Sequence, residues 1–124
     1  MTTKLRLACL AALLVAPSAF GMWGWMRGAA LGDFTDTDWE ILKAAAEQAF
    51  NEAADGERVD WRNEETGNSG AIKPLMTIQH ELGQCRRVAF LNVSARGRRG
   101  VSTHSVCRQE DGTYKFVSDS ELRT

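Results

Sequence analysis

The chain has 124 residues, of which 44% are hydrophobic and 25% charged, with 15 Lys/Arg set against 16 Asp/Glu. That length allows one small domain rather than two. The near-neutral balance argues against a general nucleic-acid binder.

The chain opens with the three-part grammar of a secretory signal peptide. Lys4 and Arg6 form a basic start, residues 7–16 are free of charge, and Pro17 breaks the apolar run. Ala19-Phe20-Gly21 then places small residues at −3 and −1, so cleavage is expected between Gly21 and Met22. The apolar run falls short of the roughly 20 residues a membrane helix needs. Cys9 lies near the start of that run, close to Arg6, and is expected to leave with the signal rather than carry a lipid. Removal of residues 1–21 takes two cations and leaves an excess of acid. That acid is unevenly placed: residues 33–65 hold eleven Asp/Glu and three Lys/Arg, whereas residues 66–124 hold five Asp/Glu and nine Lys/Arg. Attraction between the two halves inside the fold is the expected reading, ahead of a basic surface for anionic envelope material.

Residues 22–32 form a Gly/Trp-rich lead, "MWGWMRGAALG". Residues 34–56 carry the clearest helical signal. Thr35 suits the N-cap, Asp38 completes a capping-box-like pair, and Phe34 and Trp39 stand where a hydrophobic staple forms. Trp39, Leu42, Ala46, Ala49, Phe50 and Ala53 recur at helical spacing as one apolar stripe. Gly56 is expected as the C′ stop.

Beyond Gly56 the period changes to that of strands. Residues 58–62 and 71–80 are strand candidates; in the second, Ile72, Met76 and Ile78 are placed on one side and Lys73, Thr77 and Gln79 on the other. Pro74 implies an edge position or an irregularity. After a turn at Glu81-Leu82-Gly83 come strands over residues 85–95 and 99–108, joined through "RGR". "EDG" at 110–112 is a tight turn, residues 113–117 form a last strand, and residues 119–124 read as a polar tail. The predicted fold is α+β: one N-terminal amphipathic helix on a four- to five-stranded antiparallel meander, spanning residues 33–118.

With Arg96 at the middle of the hairpin loop, Val93 faces Arg99, Leu91 faces Val101, Ala89 faces Thr103 and Cys85 faces Cys107. An even cysteine count in an exported chain reads as a disulfide, Cys85–Cys107. The same register puts Val88, Phe90 and Val106 on the opposite face. Both faces are then partly apolar: one covers the helix, and the other is bent away by a bulge, covered by the lead, or used in a partner contact.

No constellation of catalytic residues or metal ligands emerges, and no cofactor is implied. Glu64 and Glu65 are a pair of carboxylates, but acid–base work on a glycoside needs a fixed separation across a cleft. His80 and His104 are placed far apart, and oxidised cysteines offer no thiolate. No serine lies in a Gly-x-Ser-x-Gly elbow. Asn92-Val93-Ser94 fits a glycosylation acceptor but lies in a predicted strand. Arg86, Arg87, Arg96, Arg98, Arg99 and Arg108 share one hairpin; alternation sends them to both faces and the tip, and a solvated, acid-paired surface is expected. Asn63, Asn68, Arg86 and Arg108 are the candidate ligand contacts.

Several blocks resemble one family. "DFTDTDWEILKAAAEQAF", "WRNEETGNSGAIKPL", "CRRVAF" and "VCRQEDGTYKFV" are similar, in order, to the C-terminal domain of the bacterial 17 kDa surface antigen family. The matching residues include Trp61, Asn63, Thr66, Gly67, Asn68, Ser69, Gly70 and Pro74, then Cys85-Arg86 and Cys107-Arg108-Gln109 followed by Asp111, Gly112 and Tyr114. The resemblance implies an exported cell-envelope protein of Gram-negative-type bacteria without known catalytic residues, whose partners are envelope components: protein, peptidoglycan or lipopolysaccharide. Two departures stand out. The chain has no lipidation motif and only the brief "MRGAALG" where family members often carry a glycine zipper, so a soluble periplasmic form is expected over an outer-membrane anchor. Glu64 also stands where the family often has proline. The alternatives are an envelope-polymer hydrolase using Glu64 or Glu65, a small periplasmic inhibitor, or an anionic-polymer-binding protein.

Overall fold

A computed structural model describes residues 29–123. The signal segment, the Gly21/Met22 cleavage site, Cys9 and the tryptophans of the lead lie outside the described residues.

The first described element is a 3-10 turn, Ala29–Asp33, which buries Ala30 and Leu31. Helix α1 follows over Asp36–Glu52 with Thr35 as N-cap and a complete capping box to Asp38. Phe34 and Trp39 meet edge to face, ring centroids 6.2 Å apart, as the staple requires. Every residue of the expected apolar stripe is buried. The helix ends earlier than Gly56: Ala53 turns extended as the C-cap, its N–H donating to the Ala49 carbonyl. Gly56 belongs instead to the next turn, where its N–H donates to the Pro74 carbonyl at 2.7 Å.

The sheet has five antiparallel strands in the order β1-β2-β3-β4-β5. They are β1 (Val59–Arg62), β2 (Ser69–His80), β3 (Gly83–Val93), β4 (Arg99–Arg108) and β5 (Tyr114–Val117). The β3–β4 register is the expected one, from Val93↔Arg99 to Cys85↔Cys107. The Cys85–Cys107 disulfide is formed between directly opposed residues, and in a chain-entropy picture a loop of this size contributes about 3 kcal/mol.

One sheet face meets the helix. Ile72, Val88, Phe90 and Val106 project into it, all 1% exposed or less, each side chain contributing roughly 1.5–3 kcal/mol by leaving water. Phe50 sits among Phe90, Tyr114 and Phe116, with centroids 5.5–6.4 Å away. Trp61 enters the same layer from β1 and stacks edge-on against Phe34 at 5.3 Å. Gly70 lies directly under this indole: a Cβ there would stand 2.5 Å from Trp61 Nε1, so no side chain fits.

Strand β2 departs from the simple alternation. A bulge lies between Pro74 and Met76, which inverts the facing of everything after it. Ile72 is buried, but Met76 and Ile78 are 50% and 40% exposed on the outer face. Thr77 turns toward the helix instead. Ile72, Met76 and Ile78 therefore do not share a side, because the bulge inserts one residue at Leu75. The segment after β5 also differs from a plain tail: Ser118 and Glu121 make a capping box that starts a four-residue helix, α2 (Asp119–Leu122).

Candidate functional site

The most concentrated polar chemistry lies at the two ends of α1. At the N-terminus, Asp38 is fully buried. Its Oδ2 accepts from the Thr35 N–H at 2.7 Å, the Thr35 hydroxyl at 3.1 Å and Asn68 Nδ2 at 2.7 Å. Its Oδ1 accepts from Asn63 Nδ2 at 2.8 Å and the Thr66 hydroxyl at 2.7 Å. Burial alone would raise the Asp38 pKa, but the hydrogen bonds from Thr35, Asn68, Thr66 and Asn63 outweigh it and hold the carboxyl below its ordinary value. The charge also sits in the first helical turn, where the helix dipole favours an anion.

The β1–β2 loop exists in the shape that delivers these donors. The Asn63 carbonyl accepts from the N–H groups of Thr66 and Gly67, and the Asn63 side chain accepts from Glu65 N–H. Gly67 takes the left-handed conformation, φ +76°, which lets the chain reverse. Asn68 and Gly70 do not have positive φ; Asn68 works through its side chain, and Gly70 through its closeness to Trp61. Asn68 is a three-way tie: besides Asp38, its Nδ2 donates to the Asp33 carbonyl and its Oδ1 accepts from Ala95 N–H in the β3–β4 loop.

At the C-terminus of α1 the corresponding charge is a cation. Arg86, on β3, is buried rather than solvated. Its Nη1 donates to the carbonyls of Ala49 and Phe50 at 3.1 and 3.0 Å. Its Nη2 donates to the Ala53 carbonyl at 2.7 Å and to Asp55 at 2.9 Å. Its Nε donates to the Thr77 hydroxyl at 3.0 Å. The guanidinium thus fills its fork with carbonyls at the end of the helix: those of Phe50 and Ala53, and that of Ala49, which also accepts from Ala53 N–H. Arg86 foremost, and Thr77, lower the Asp55 pKa by hydrogen bonding.

Attraction between the halves is visible here and at Arg98–Asp33, 3.7 Å apart. The remaining sequence candidates scatter. Glu64 and Glu65 are exposed, and Glu64 forms an ion pair with Arg62 at 3.2 Å in which both side chains are open to water, an arrangement worth at most about 1 kcal/mol. Arg108 is exposed beside an open depression of about 710 Å³ between the β2–β3 and β4–β5 turns. His80 accepts from Leu82 N–H in the β2–β3 turn. His104 faces Val88 at the sheet's middle and packs between Phe90 and Phe116, with ring centroids 5.8 and 6.2 Å away. Burial pushes its pKa down to about 4, the Arg87 charge adds to this, and Asp119 opposes it. Asn92 is buried within β3. Among the described residues no group of three or more His, Cys, Asp or Glu is placed to hold a metal ion, and no helix is long and apolar enough to cross a membrane.

Chemically, the Asp38 cluster has little left to offer a ligand. Both oxygens accept multiple hydrogen bonds, and the Asn63 and Asn68 amides are engaged on both of their ends. A carboxylate so held is a poor proton carrier and a good structural anchor. The sequence signal for it was the capping-box Asp38 together with the polar spacing of Asn63, Thr66 and Asn68.

Comparison with known proteins finds relatives named 17 kDa surface antigen. The chain is 29% identical over 83 residues to that of Rickettsia prowazekii (strain Madrid E), covering 67% of this chain and 52% of the relative. The identity to the Rickettsia conorii antigen is the same, and to that of Rickettsia bellii (strain RML369-C) it is 28%, with equal coverage. The chain spans about half the length of the curated relatives it matches. No family model and no solved structure matches it.

Proposed function

We infer, from the kinship of this chain with the 17 kDa surface antigens, that it is an exported, non-catalytic module of the bacterial cell envelope with a structural or binding role. One observation carries the non-catalytic part. The polar signature that first suggests a site, Asn63 to Asn68, turns its buried side chains onto Asp38, while its two glutamates stay in water. The signature therefore serves to fasten a helix to a sheet. The Cys85–Cys107 bridge suits an oxidising compartment such as the periplasm.

Fractionation of the cells that make this protein, combined with intact-mass measurement, tests the reading. The expected result is a chain in the periplasmic or outer-membrane fraction, without residues 1–21, without an added lipid and two hydrogens lighter than the reduced form. A cytoplasmic chain that keeps residues 1–21 and two free thiols at Cys85 and Cys107 would overturn it.

A further inference from the structure

Among the described residues, four of the five large exposed apolar side chains, Leu75, Met76, Ile78 and Leu82, lie along one sheet edge and its adjoining turn. Strand β1 pairs with β2 only as far as Val59↔Ile72. From Lys73 onward β2 has β3 on one side and, among the described residues, no strand on the other. The start of this edge is closed, since Gly56 N–H donates to the Pro74 carbonyl. Beyond it runs Leu75-Met76-Thr77-Ile78-Gln79-His80, which carries no formal charge at neutral pH in a chain that is 25% charged. Leu75, Met76 and Ile78 are 44%, 50% and 40% exposed, and Leu82 in the adjoining turn is 43% exposed.

Folded proteins normally blunt such an edge with lysine, proline or an inward charge, because its unpaired backbone groups template another strand. Here the strand's one lysine, Lys73, and its one proline, Pro74, both precede the open stretch, and the bulge after them swings Met76 and Ile78 onto the outer face. We propose that this edge is a self-association interface, in which β2 of one copy pairs antiparallel with β2 of a second copy about a twofold axis at Thr77.

That axis sets Met76 opposite Ile78 of the second copy and Ile78 opposite its Met76, both pairs on the outer face, where each covers exposed apolar surface of the other. The contact is isologous and closes at two copies. A neutral edge is suited to its own duplicate, since self-pairing brings no like charges into register. The nearest charge, Asp55 beside Thr77, is already neutralised by Arg86 at 2.9 Å. The other open edge, on β4 before Ser105 where β5 begins to pair, starts at Arg99 and carries a single large exposed apolar side chain, Val101.

Analytical ultracentrifugation of the oxidised protein, as isolated from the cells that make it, over a concentration series tests this. A monomer–dimer equilibrium is expected. Ile78→Lys and Met76→Lys should each raise its dissociation constant about tenfold or more, while circular dichroism confirms that each variant stays folded. Val101→Lys, at a site 69% exposed on the same face but away from the edge, should leave the equilibrium unchanged. All variants share the same N-terminal segment, so any association through it is common to them. Two edge variants are used so that one misfolded protein does not end the test. A chain that stays monomeric throughout, a dimer indifferent to both edge lysines, or one weakened equally by Val101→Lys would overturn the proposal.

Discussion

At its N-terminus α1 meets a buried carboxylate held by donors from the N-cap and the β1–β2 loop; at its C-terminus it meets a single buried guanidinium from β3. Each charge opposes the helix dipole at its own end. The construction differs. The anion lies on the helix and gathers a loop around itself, so its environment is spread over Thr35, Asn63, Thr66 and Asn68. The cation lies on the sheet and reaches to the helix, so one side chain fastens several backbone and side-chain acceptors. Loss of the anion should therefore release a loop, whereas loss of the cation should fray a helix end.

The largest effect is expected at the N-terminal anchor. Asp38→Ala leaves the buried Asn63 amide without its acceptor and Asn68 with only the Asp33 carbonyl, and should cost about 4 kcal/mol in urea unfolding. Hydrogen exchange should rise first in residues 63–68. Arg86→Met should cost about 3 kcal/mol, with exchange rising instead in the last turn of α1. Arg86→Lys should recover only part of it, because an ammonium has three donors where all arms of the guanidinium are in use. A matching loss of protection at both helix ends in both variants would erase the distinction.

Titration separates these anchors from the aromatic core. The folded His104 value of about 4 lies below the ordinary 6.5, so the unfolded chain takes up the proton first as pH falls. The His104 contribution is complete above pH 6.5 and is lost on the way down to about 4. The expected size is up to about 2 kcal/mol, allowing for the ring's partial exposure. The Asp38 contribution has the same sign but a lower window: it is present above the ordinary value of 3.8 and is lost as pH falls through the lower folded value. His104→Gln should flatten the upper part of the stability–pH curve and leave the acid limb, as chemical denaturation at a series of pH values would read. The smallest effect is expected from Glu64→Gln with Glu65→Gln, which should change stability by no more than about 0.5 kcal/mol, since neither carboxylate joins the Asp38 cluster.

Much of the architecture was legible in the chain. Local signals set the helix start at Thr35, and the opposition of Cys85 to Cys107 followed from counting outward from Arg96. The facing of Met76 and Ile78 was not legible, because a bulge changes the parity of a strand without changing its composition. The burial of Arg86 was equally hidden: an arginine reads as surface until a helix C-terminus packs over it, and that packing is tertiary. Asn63, Thr66 and Asn68 were visible as a conspicuous cluster, but a polar cluster aimed at a ligand and one aimed at a buried aspartate have the same sequence.

A double-mutant cycle between Asp38→Ala and Asn63→Ala, read by urea unfolding of the oxidised protein, tests most directly whether that cluster serves the fold. If the loop is an internal anchor, Asn63→Ala should cost much less in the Asp38→Ala background, with a coupling of about 1–3 kcal/mol. Equal costs in both backgrounds, and hence simple additivity, would contradict the account.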